Sequence, residues 1–112
     1  MKITKLNTLG CMISLILLIA FASMDAYCAS IAEREALVAL YNSTDGPNWV
    51  NSTGWLGEEG TECTWYGVTC ENSKVTVINL DSNQLTGNIP PKIENLINLR
   101  GMYLYLHSLY WL

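Results

Sequence analysis

The chain has 112 residues, half of them hydrophobic and only 14% charged, with a formal net charge of -4. That length allows one small domain, and so apolar a composition excludes intrinsic disorder. The acidic balance excludes a nucleic-acid or anionic-lipid footprint, and the apolar excess calls for a membrane or export segment.

The amino terminus holds such a segment. Lys2 and Lys5 precede an uncharged apolar run over residues 11–22 (CMISLILLIAFA). This is the pattern of an export signal, and the run is too short to span a bilayer comfortably. Ala20-Phe21-Ala22 and Ala26-Tyr27-Cys28 are candidate cleavage sites, so residues 1–28 are read as a signal peptide. An uncleaved signal anchor is the alternative. Cleavage leaves four basic residues against nine or ten carboxylates, a charge of -5 or -6. The mature chain then has roughly 84–90 residues and no membrane span, a size at which a single core is marginal without staples.

Ser30-Ile31-Ala32-Glu33 has the form of a capping box. Ala36, Leu37, Leu40 and Tyr41 follow on one helical face, and Asn42-Ser43-Thr44-Asp45-Gly46-Pro47 stops the helix with turn formers. The expected helix covers residues 31–42. Residues 48–61 read as an irregular loop pinned by Trp49 and Trp55. These rings are expected to fill the core; the alternative is a sugar-binding platform, which needs exposed rings. Glu58, Glu59 and Glu62 read as a solvated surface cluster.

Of the four cysteines, Cys11 leaves with the signal, and Cys28 too if the later site is cut. Cys63 and Cys70 stay, with six residues between them. In an exported protein that spacing reads as a local disulfide, worth about 2.5 kcal/mol in the chain-entropy picture. The alternative, a zinc site, needs about four ligands, and the single histidine, His107, stands far off. No metal and no cofactor is expected. Residues 75–80 (VTVINL) are β-branched and partly alternating, so they read as a strand.

Internal repetition governs the rest of the chain. Val75, Ile78, Leu80, Asn83 and Leu85 recur twenty-four residues later as Leu99, Met102, Leu104, His107 and Leu109. Ile78 and Leu80 point inward from a short strand. Asn83 turns the chain, its side chain satisfying backbone groups in the turn and stacking in a ladder with position 107. Gly87 permits close backbone approach, and Ile89-Pro90 sets an extended return. Each coil buries its apolar face only against the next.

These residues resemble the plant-type leucine-rich repeat, marked by Gly87, Ile89 and Pro90. Cys63-Thr64-Trp65-Tyr66-Gly67-Val68-Thr69-Cys70 is similar to the C-x-W-x-G-V-x-C segment of that family's N-terminal cap. The resemblance implies an α+β fold, the start of a leucine-rich-repeat solenoid. A helical, disulfide-containing cap (29–74) is followed by repeat 1 (75–98) and a partial repeat 2 (99–112), about one and a half repeats in all. The second unit departs from the pattern, with His107 at the Asn position and Trp111 at the Gly position. Leu106, Leu109, Tyr110, Trp111 and Leu112 are expected to form an uncapped apolar edge open to self-association.

The resemblance also implies a concave face built from Val77, Asn79, Asp81 and Ser82, with Gly101, Tyr103, Tyr105 and Leu106 as counterparts. The expected function is non-catalytic: an extracellular, secreted or cell-surface module binding a protein, peptide or glycan, with Tyr103 and Tyr105 as its anchors. A solvated face that needs its missing neighbours is the alternative for these positions. A truncated gene remnant and an N-terminal fragment of a receptor ectodomain are the alternatives for the chain. Asn42-Ser43-Thr44 and Asn51-Ser52-Thr53 are sequons that a eukaryotic export route can glycosylate. No hydrolase, metalloprotease or phosphate-loop motif occurs.

Overall fold

The computed structural model describes residues 29–105 and 108–110. The expected signal segment with Cys11 and Cys28, and also Leu106, His107, Trp111 and Leu112, lie outside the described residues. Helix α1 (Ile31–Ser43) comes first. Single turns of 3-10 helix follow at Gly46–Asn48 and Glu62–Thr64. Strands β1 (Val68–Glu71), β2 (Lys74–Asn79) and β3 (Thr86–Asn88) are next. A 3-10 segment at Pro91–Asn95 then leads to β4 (Gly101–Tyr103) and β5 (Ser108–Tyr110).

Helix α1 starts where the capping box sets it. The Glu33 amide donates to Ser30 Oγ at 3.1 Å, and the Ser30 amide donates back to Glu33 Oε2 at 3.1 Å. Glu33 does more than cap. Its Oε1 accepts from the buried Val75 amide at 2.8 Å, so the helix start is tied to the start of β2. The helix ends at Thr44, whose amide and hydroxyl both donate to the Leu40 carbonyl. Asp45 then turns through left-handed backbone (φ 62) into the Gly46–Asn48 segment. Ala36, Leu37 and Leu40 are fully buried, and each leucine contributes about 1.5–3 kcal/mol by leaving water.

Two small sheets stack beside the helix. In the three-stranded sheet the order is β1-β2-β4, and β3 pairs with β5 in the other. Strands β1 and β2 are antiparallel, with Val68 opposite Ile78 and a bulge at Thr69/Cys70. Their connection, Asn72-Ser73, holds two consecutive left-handed residues (φ 51 and 59), the conformation that lets a two-residue hairpin follow the strand twist. Strand β4 runs parallel to β2, with Ile78 opposite Met102 and Asn79 opposite Tyr103. That is the twenty-four-residue period, and it puts successive coils side by side.

The second ladder departs from that period. Gly87 pairs with Leu109 and Thr86 with Ser108, an offset of twenty-two. The expected match of Leu109 to Leu85 therefore fails. From Tyr103 onward the sequence lacks the Asn-x-Leu-x-Gly pattern of the first coil.

Gly87 meets the end of α1. A Cβ there would stand 2.1 Å from the Ser43 carbonyl oxygen, and its φ of +108 is open mainly to glycine. The close approach is with the cap helix, where the Thr86 amide donates to the Thr44 carbonyl.

The core runs continuously from cap to coil: Leu37, Leu40, Trp65, Val75, Ile78, Leu80 and Leu85 are all essentially solvent-free. Trp49 and Trp55 are buried as well. Trp55 packs edge-on to Trp49 at 4.9 Å, tilted against Trp65 at 5.1 Å and stacked on Tyr41 at 6.0 Å. Each indole N–H finds an acceptor: the Thr44 carbonyl, the Tyr66 carbonyl and the Thr61 hydroxyl. Buried rings with satisfied N–H groups are core, and none of the three offers a sugar platform.

Candidate binding face

The β1-β2-β4 sheet turns one side inward to the core and one side outward. Pairing fixes which residues share the outward side, because alternate residues point to opposite faces. Val77 lies between Thr69 and Gly101 in one row across the sheet. Asn79 is opposite Tyr103 in the next row, and Asp81 and Tyr105 continue the alternation beyond the strand ends.

Val77 is half-buried, and so is Gly101. Asn79, Asp81 and Ser82 are exposed. Tyr103 and Tyr105 are 57% and 71% exposed. Gly101 leaves room for the Tyr103 ring, which lies 3.0–3.4 Å from where a Cβ would stand. Asn79 has a local duty. Its Oδ1 accepts from the Asp81 amide at 3.1 Å, fixing the turn that carries the Asp81 carboxylate.

The cap contributes to this face through β1, which sequence reasoning did not anticipate. Tyr66, Gly67, Val68 and Thr69 line a groove of about 490 Å³ together with Asn79, Asp81 and Ser82. The signal for it was present. Asn72-Ser73 between two β-branched stretches is a hairpin mark, and the hairpin places Thr69 beside Val77.

Two charged or polar side chains differ from expectation. Glu62 is not part of a solvated cluster; it is 1% exposed and ion-paired with Arg34. The Gly60 amide also donates to it at 2.9 Å. Arg34 in turn donates to the Gly57 carbonyl at 2.8 Å and stands 5.2 Å over the Trp65 ring. The helix thus reaches across to the loop through a nearly buried pair that linear charge patterning does not reveal.

Asn83 is the other. Its side chain satisfies backbone, but that backbone belongs to the cap loop and not to its own turn. Its Oδ1 accepts from the Asn51 amide at 2.6 Å, and its Nδ2 donates to the Asn51 carbonyl at 2.8 Å. In the first coil the inner neighbour of this asparagine is the cap. The expected ladder partner, His107, lies outside the described residues.

Cys63 and Cys70 are joined as a disulfide, with Cα atoms 5.6 Å apart. This removes them as zinc ligands. Among the described residues no group of three or more His, Cys, Asp or Glu gathers to hold a metal, and no helix is long and apolar enough to cross a membrane. Of the two sequons, Asn42 is exposed on the last turn of α1. Asn51 is half-buried in the loop, its Oδ1 accepting from both the amide and the hydroxyl of Thr53.

Residues 30–71 match the leucine rich repeat N-terminal domain family. Receptor-like kinase TMK4 of Arabidopsis thaliana is 31% identical over 85% of this chain, which is 10% of that protein. Leucine-rich repeat protein 1 of the same plant is 33% identical over 66% of this chain and 34% of its own length. The rice protein of that name (Oryza sativa subsp. indica) is 30% identical over 83% of this chain and 44% of its length. The chain thus spans between a tenth and under half of these relatives. Among solved structures, a leucine-rich repeat protein from Bacteroides thetaiotaomicron superposes with a TM-score of 0.51 at 25% identity, over 63% of this chain and 10% of that one. The capped first coil, the twenty-four-residue pairing of β2 with β4 and these likenesses agree: residues 30–71 match the leucine rich repeat N-terminal domain, and the coil after them has the fold of leucine-rich-repeat proteins.

Proposed function

We propose that this chain is a non-catalytic extracellular binding module that engages a protein, peptide or glycan through the outward face of its β1-β2-β4 sheet. One observation carries the reading. Tyr103 in β4 and Tyr105 just beyond it are 57% and 71% exposed, on the outward side of a sheet whose opposite side is closed core. Exposed tyrosines on a rigid strand are preferred anchors in recognition surfaces, because they bring large contact area together with a hydrogen-bonding tip. The extracellular setting draws support from the export pattern of residues 1–28, from the Cys63–Cys70 disulfide and from relatives named as receptors. On a eukaryotic export route, Asn42 and Asn51 would carry glycans.

The test is binding of the exported chain to surface and secreted proteins and glycans of its host, with and without Tyr103→Ala plus Tyr105→Ala. The double variant is expected to weaken binding at least about tenfold, the loss of one modest anchor. Equal binding by the two proteins removes this face from the function.

A second reading has its own support. The match to a receptor-like kinase covers 85% of this chain but 10% of that protein. On this reading the chain is the opening of a receptor ectodomain, and the face continues onto later coils. Sequencing the transcript beyond the codon for Leu112 decides it: further twenty-four-residue repeats are expected, and a stop with no repeats in any frame rejects it.

A further inference from the structure

We infer that Asn42 carries an N-linked glycan whose first sugars lie along the outward face of α1, over Val38 and Ile31. The inference rests on the export part of the reading above and adds where the sugar sits and what it covers. Three observations carry it: apolar residues on the outward side of a surface helix, a sequon asparagine in line with them, and a side-chain direction that aims the asparagine along them.

Helix α1 buries Glu33, Ala36, Leu37 and Leu40. A surface helix normally turns charged and polar residues the other way. Here Ile31, Glu35, Val38, Ala39 and Asn42 share the outward side, at helical spacings of three and four. Ile31 is 49% exposed, and Val38 and Ala39 are half-buried. With Arg34 and Lys92 at their flanks, these residues line an open groove of about 310 Å³. Lys92 is paired with Glu35 at 3.7 Å, so one side of the groove is a pair of opposite charges. Arg34 is held at its head by Glu62 and the Gly57 carbonyl, and it lends the groove its methylene stem.

Asn42 is the exposed residue at the C-terminal end of this groove, and Asn42-Ser43-Thr44 is an acceptor sequence for N-glycosylation. Its side chain makes no hydrogen bond among the described residues. A helix tilts every Cα–Cβ bond toward its N-terminus, so Asn42 leans back over Val38 and Ala39, whose Cβ atoms stand roughly 5–6 Å from its own. A sugar on the Asn42 amide nitrogen therefore starts out along the groove. The C–H face of a pyranose ring and its N-acetyl methyl suit Val38 and Ile31, while ring hydroxyls suit the Glu35–Lys92 pair beside them. Thr44, which completes the sequon, is fully buried, its hydroxyl donating to the Leu40 carbonyl at 2.6 Å. The sequon is thus accessible before the cap folds, during export.

The test expresses the full chain in a eukaryotic secretory host and locates glycans on the secreted protein by mass spectrometry. Asn42 is expected to be modified. The secreted chain is then compared with Asn42→Gln from the same host, any glycan on Asn51 being common to both. The glycosylated chain should have an unfolding equilibrium constant about tenfold lower, the scale of covering two partly exposed aliphatic side chains. In a Val38→Gln background that gap should close to within about twofold, because glutamine keeps the helix and removes the apolar seat. Made in the periplasm of a bacterium without N-glycosylation, where the disulfide still forms, the chain and Asn42→Gln should unfold alike. A nuclear Overhauser contact between the N-acetyl methyl of the first sugar and the Val38 methyls is expected as well.

A secreted chain with Asn42 unmodified overturns the inference and leaves the export reading standing; a chain that never leaves the cell removes both. A glycan on Asn42 that stabilises equally with Val38→Gln, or that makes no contact with Val38, overturns its seat in the groove. So does a dimer of the glycosylated chain that Val38→Gln dissociates, which would give the groove to a second copy.

Discussion

The cap and the coil of this molecule are built from the same core and closed in different ways. In the cap, three tryptophans are 1–8% exposed, a disulfide closes the loop, and Arg34 and Glu62 pair across it. In the coil, Val75, Ile78, Leu80 and Leu85 are closed where they face the cap. Ile89, Ile93, Leu99, Met102 and Leu104 are only partly buried on the outer side. A solenoid coil gains stability from two neighbours, and the cap supplies one of them. Among the described residues the cap is stapled from within by the disulfide and the Arg34–Glu62 pair, and the coil carries the half-closed residues.

That contrast can be broken or sharpened by substitution, followed by denaturant unfolding. The largest effect belongs to the cap core. Trp65→Ala empties the centre of the aromatic cluster and is expected to cost about 4 kcal/mol, in the range for a large buried aromatic. A loss below 1 kcal/mol would show that the cap is not packed as described. Replacing both Cys63 and Cys70 by Ala should cost about 2.5 kcal/mol through the freed unfolded chain. An unchanged midpoint would mean that the cap needs no staple.

Asn83→Ala probes the interlock between the two regions. It leaves the Asn51 amide and carbonyl without their partners, and about 2 kcal/mol should be lost. Slow hydrogen exchange at the Asn51 amide should disappear with it. Met102→Ala is the smallest, at about 1 kcal/mol, because the side chain is already partly exposed and its cavity opens outward. Should Met102→Ala cost as much as Trp65→Ala, the outer coil is closed by a second copy in solution. The comparison between closed cap and open coil would then not hold.

Much of the architecture was legible in the chain. Ser30 and Glu33 announce the helix start because a capping box is a local arrangement of four residues. Ile78 and Met102 announce the coil pairing because the period of a repeat is a property of sequence. The tryptophans read as core on size alone. Three features were not legible, each for a spatial reason. Glu62 looked like part of an acidic surface run, since its partner Arg34 lies twenty-eight residues away on another element. Asn83 looked like a ladder residue, since nothing in its neighbourhood names Asn51, thirty-two residues away. The shift from twenty-four to twenty-two between the two ladders is a matter of strand pairing, which the repeat period alone does not give.

The candidate face shows the same division. Val77, Asn79, Asp81, Tyr103 and Tyr105 follow from counting along the repeat. Tyr66 and Thr69 join them only because an antiparallel hairpin lays β1 against β2.

Local chemistry and periodicity, which act over a few residues or repeat at a fixed interval, were enough to define the helix, the strands of the coil, the disulfide spacing and the family. Tertiary structure alone decided which distant groups meet: Glu33 with Val75, Arg34 with Glu62, Asn83 with Asn51, and Asp81 with Tyr66 in one groove. Pairings of that kind depend on how elements pack, and packing is settled by the whole core at once.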